Sequence, residues 1–136
     1  MESYLKDVLG NSAALSDALN LEHKLYSDAE RHCFAQAMLD SSKMNNWLGR
    51  LDSGEAAVLR WLFPGLSGVE PIRQSYAMVS HQQVAVELSL EVERITELRG
   101  VALANLGLLI LGYVVVEAER LQAIENQVSS GEYLSF

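Results

Sequence analysis

The stretch "GVALANLGLLILGYVVVEA" carries no charge between residues 100 and 116 and no proline at all. Wound into a helix, it presents apolar side chains at every angle and therefore has to be covered on every side. In a chain of 136 residues two covers are available: the preceding helices of the same chain, or a second copy. A bilayer would be a third, but the uncharged part falls short of the ~20 residues a crossing needs and includes Asn105. The expectation is a buried helix with no membrane contact. It would pair two chains through Leu106, Leu109, Ile110, Tyr113 and Val116, with an intramolecular core as the alternative.

The rest of the chain also reads as helix. Its two prolines, Pro64 and Pro71, lie close together and the glycines are few. Residues 2 to about 10 and 16 to about 26 suggest two short helices, with Leu15, Leu19 and Leu25 near helical spacing. Ser27 and Glu30 have the spacing of a capping box, in which each side chain satisfies an orphan amide of the first turn. Phe34, Ala37, Met38, Met44, Trp47 and Leu48 then form one apolar stripe, which Ser41-Ser42 can bend or break. Asp52 and Glu55 repeat the capping pattern ahead of Val58, Leu59, Leu62 and Phe63, and Pro64-Gly65 ends that run. A loop and a short helix over 70–78 follow, with Pro71 tolerated in the first turn. From Glu91 nothing stops the last helix firmly before Ser129.

The organisation expected is one domain over 1–136: N-terminal helices over 1–50, a helix-turn-helix-like unit over 51–106, a continuation of the long helix over 107–128, and a loose tail over 129–136. This length buries a core unaided. The fold class is all-α, a helical bundle with a helix-turn-helix and a long hydrophobic C-terminal helix.

Within "SHQQVAVELSLEVERITELRGVALANL", Ser80 and Gln83 make a third capping box, and Ser89 interrupts the run where it can cap the next helix. Ala85, Ser89 and Ile95 fall at the spacing of a small residue, a turn and an apolar residue that lets two helices share a core. Val84, Leu88, Leu90 and Leu98 are the packing neighbours. The upstream helix contributes Leu51, Glu55, Val58 and Leu59; downstream come Ser80, Val84, Ala85, Leu88, Arg94, Ile95, Leu98, Ala102, Leu103 and Leu106. Together these residues resemble region four of bacterial sigma factors and related phage regulators, over roughly residues 51–106. The resemblance implies a small transcription regulator, phage- or mobile-element-like, acting on DNA and/or RNA polymerase. It puts Arg94, Arg99 and Thr96 against nucleic acid, Gln82 and Gln83 near the backbone, and Arg73 on a phosphate. Serine at the usual glycine turn position and a long loop over 64–79 depart from the family pattern.

Charge pulls the other way. The net charge is −8 and the isoelectric point about 4.8, whereas a nucleic-acid surface needs a basic footprint. Glu91 and Glu93 would repel phosphate, and each missing cation forfeits counterion release. The alternative expectation is an acidic helical protein-interaction module, an adaptor, inhibitor or assembly or secretion chaperone that binds a protein partner without DNA. Cys33 is the sole cysteine, which excludes a disulfide framework or thiolate cluster and suits the cytoplasm. His32 and Cys33 diverge on a helix, and no serine-histidine-acid set or phosphate loop is present. No cofactor, metal or enzymatic activity is expected.

Overall fold

Capping chemistry sets several helix boundaries. The computed structural model describes residues 2–66, 77 and 79–130, with side chains described for 6–66, 77 and 79–127. The helices are α1 (Glu2–Leu19), α2 (Asp28–Met38), α3 (Ser41–Gly49), α4 (Ser53–Leu62), α5 (His81–Leu88) and α6 (Val92–Ser130), with a 3-10 turn at Glu22–Lys24. The fold is all-α, and α6 is the long apolar C-terminal helix the composition called for. The helix expected over 70–78 and the tail after Ser130 fall almost wholly outside the described residues.

Two of the three capping boxes close. The Glu30 amide donates to Ser27 Oγ at 3.1 Å and the Ser27 amide to Glu30 Oε1 at 3.0 Å. At α5 the Gln83 amide donates to Ser80 Oγ at 3.2 Å and the Ser80 amide to Gln83 Oε1 at 2.9 Å. The Asp52–Glu55 pair does not form a box: the Asp52 side chain makes no cap bond, and Glu55 is buried. Glu55 instead accepts from Asn105 Nδ2 of α6 at 2.8 Å. A buried carboxylate without a donor is costly, so this tertiary bond displaces the local one.

The N-terminal region also differs from expectation. One helix, α1, replaces the two short ones. Asn11 and Ser12 look like helix breakers because their side chains compete for backbone partners. Both are buried and bond to carbonyls of other elements. Asn11 Nδ2 donates to Pro64 O, just past α4, at 2.8 Å. Ser12 Oγ donates to Met38 O at 3.2 Å, satisfying a carbonyl at the end of α2 that the helix itself leaves open. Further along, the break before Ser41-Ser42 is complete: Asp40 caps α3 by accepting from the Lys43 amide at 3.1 Å.

Ser89 ends α5 rather than starting α6. It sits in the left-handed region, at φ 56 and ψ 44. Its amide donates to Val86 O and the Leu90 amide to Ala85 O, the paired bonds of a Schellman C-cap. The backbone carbonyl of Glu91 then opens α6 by accepting from Arg94 and Ile95. Three residues thus separate α5 from α6, and the chain folds back on itself. His81 Nδ1 and Thr96 Oγ1 would be about 22 Å apart along one straight helix; they lie 3.3 Å apart.

α6 is the common partner, since α1 through α5 each pack against it. Ile95, Ala102, Leu106, Ile110 and Val114 are fully buried on its inner side. Leu15, Leu19 and Leu25 come from the N-terminal region, and Phe34, Met38, Met44, Trp47 and Leu48 from the stripe read along α2 and α3. Val58, Leu59, Leu62 and Phe63 of α4 and its end complete the core.

Candidate functional site

Two surfaces stand out: the outer face of the α5–α6 corner, and the outer face of α6 beyond it. The corner is held from inside. Val84 and Ile95 are wholly buried and Ala85 nearly so, while Leu88, Val92 and Leu98 pack against the core at its edge. Val92, half-buried, is turned from the solvent face of α6 by this packing.

Most of the charge the corner presents to solvent is carboxylate. Glu87 of α5 and Glu91, Glu93 and Glu97 at the start of α6 are all exposed. Arg94 itself is committed, with Nη1 3.2 Å from Glu97 Oε2 one turn on. Arg99 is half-buried and Thr96 exposed, and Thr96 Oγ1 donates back to Val92 O at 3.3 Å. Gln82 is exposed on α5. Gln83 is exposed too, with its amide oxygen used in the capping box. Arg73 lies outside the described residues. The structure therefore brings Thr96 against the start of α5 through His81, and pairs Arg94 with Glu97.

The outer face of α6 has the opposite character. Val101 is 53% exposed, Leu108 67% and Val116 66%. Ala104, Asn105 and Gly112 are exposed alongside them. Of the residues expected to pair chains, Leu106 and Ile110 are intramolecular core, Leu109 and Tyr113 are half-buried, and Val116 alone stands out in solvent. The helix is long and apolar enough to cross a membrane by length and composition, and 39% of its most apolar stretch is buried.

Sequence reasoning missed Val101 and Leu108 as surface residues. An all-round apolar helix has no periodicity to say which side the other helices will take. The one clue was Asn105, a polar residue inside the run that has to lie where a partner or water can reach it.

Elsewhere the chemistry is structural. Burial pushes the Cys33 thiol above its ordinary range; Glu117 adds to this and Arg120 offsets part of it, so the sulfur stays protonated and a poor nucleophile. His32 beside it is exposed. Lys43 Nζ lies 5.6 Å from the Tyr113 ring centre, and Trp47 meets the same ring edge-on at 5.6 Å. A cleft of about 720 Å³ between α1 and α2 is lined by Leu9, Phe34, Met38 and Leu39, with Arg31 and Glu22 at its polar side. Arg31 is occupied there, donating to Leu25 O and to Asp28. Among the described residues no group of three or more His, Cys, Asp or Glu is placed to hold a metal ion. No protein-family model matches this chain, and neither a curated protein nor a solved structure does.

Proposed function

We propose that the chain is an acidic helical protein-interaction module that keeps a helix-turn-helix-like corner without using it on DNA. The observation that carries this reading is the setting of Arg94. Its charge is paired with Glu97, and Glu87, Glu91 and Glu93 of the same two segments are exposed as well. Phosphate approaching this corner would meet four carboxylates and two guanidinium groups. Without a net excess of cations there is little counterion release to drive association.

A transcription regulator acting on DNA and/or RNA polymerase is the second reading. The packing of Ala85 and Ile95 at the region-four spacing favours it. On that reading polymerase would have to supply the affinity that the corner lacks.

A mobility-shift titration against random and genomic duplexes separates the two. The module reading expects no complex even at low salt, and no change on Arg94→Ala with Arg99→Ala. A complex that survives moderate salt and is lost in that double variant would overturn it.

A further inference from the structure

We propose that the outer face of α6 docks a second copy of this chain, the two helices running antiparallel about a two-fold axis between residues 106 and 107. This deepens the interaction-module reading by naming one partner. The argument starts from spacing. Arg94, Val101, Leu108 and Val115 recur every seven residues, and Leu98, Asn105, Gly112 and Glu119 recur every seven between them. That is the alternating 3–4 seam of a two-helix interface. Its middle lies on the side of α6 that the other described helices leave uncovered, with Val101 53% and Leu108 67% exposed, while Leu98 and Val115 are half-buried at its edges.

Charge selects the partner and its direction. In the antiparallel register Leu108 meets the partner's Asn105, Val101 meets the partner's Gly112, and Arg94, exchanging its exposed contact with Glu97, meets the partner's Glu119. A two-fold axis repeats each contact, so the apolar centre is closed at both ends by an arginine-glutamate pair. The competing arrangements each bring charge into the wrong place. A parallel pair in register sets Arg94 against Arg94 and Glu119 against Glu119. An antiparallel pair centred on Leu108 sets Glu97 against Glu119. Sliding one heptad either way places Glu119 on Val101, or Glu91 on Val115. Gly112 and Ala104, both exposed, let the backbones come close.

Sedimentation equilibrium of the full chain over a wide dilution series tests this. The wild type should approach twice the 15.0 kDa of one chain as concentration rises. Leu108→Asp should remain at the single-chain mass with an unchanged helical circular-dichroism spectrum, because Leu108 is not part of the core. Arg94→Glu should weaken dimerisation about tenfold, and Arg94→Glu combined with Glu119→Arg should recover it. A wild type that stays at 15.0 kDa throughout would sink the proposal. So would a double variant that fails to recover, open-ended larger assemblies, or a chain monomeric in buffer that floats with phosphatidylcholine vesicles. Leu108→Asp leaves the α5–α6 corner intact, so loss of this dimer would leave the outcome of the DNA titration untouched.

Discussion

The two long faces of α6 have nearly the same composition and opposite fates. On the inner face Leu106, Ile110 and Val114 are fully buried; on the outer face Val101, Leu108 and Val116 are more than half exposed. The difference lies in the neighbours rather than in α6. The five other described helices each bring one stripe to it, and among the described residues those stripes do not close a full circle. A uniformly apolar helix thus becomes a core on one side and a contact surface on the other.

Substitutions should expose that asymmetry. Ile110→Ala, at a position with no exposure, should cost about 2–5 kcal/mol of unfolding free energy in denaturant titration. Leu108→Ala, two residues away, should change it by less than about 0.5 kcal/mol at dilutions where the chain is monomeric. Equal losses would erase the distinction between the faces. Asn105 marks the border, since it is exposed and yet reaches inward to Glu55. Asn105→Ala would leave that buried carboxylate without its donor and should cost about 1–3 kcal/mol. Asn105→Gln, able to donate as well, should cost less.

Ser89→Gly should act in the opposite direction. A side chain in the left-handed region is strained, and glycine there should add about 1 kcal/mol of stability. A loss instead would mean that the Ser89 side chain holds the corner.

The smallest effect concerns the flank of α6 near Tyr113. The Lys43 side chain and amide, bonding to Asp40, hold its carboxyl below the usual range, and the Arg120 bond does the same for Glu117. A lowered carboxyl contributes stability above its unfolded pKa and loses it as pH falls through the folded value. Stability should therefore drop on the acid side of the carboxylate range, and Asp40→Asn should flatten part of that slope. Both Asp40 and Lys43 are more than a third exposed, so the change should be slight.

Much of the fold was legible wherever cause and effect are close in sequence. Ser27 with Glu30, Ser80 with Gln83, and the buried stripe from Phe34 to Leu48 depend on residues within a few turns. What escaped depends on partners far along the chain. Asn11 and Ser12 suit a helix interior only because Pro64 and Met38 supply acceptors, and Glu55 leaves its cap for Asn105. At the corner, the packing roles of Ala85 and Ile95 could be read from spacing. The pairing of Arg94 with Glu97 could have been read as well, because three residues on a helix are neighbours. The bare side of α6 could not, since it is defined by where the other helices stop.

The dependence of every helix on α6 also bears on how the chain is made. α6 follows the five helices that pack on it in the chain, and it is synthesised after them at roughly 5–20 residues per second. For several seconds the earlier helices exist with their apolar stripes and without the surface those stripes were shaped to meet. Burial and folding of these helices should therefore come together, with α1 to α5 open to proteases and to chaperones until α6 emerges.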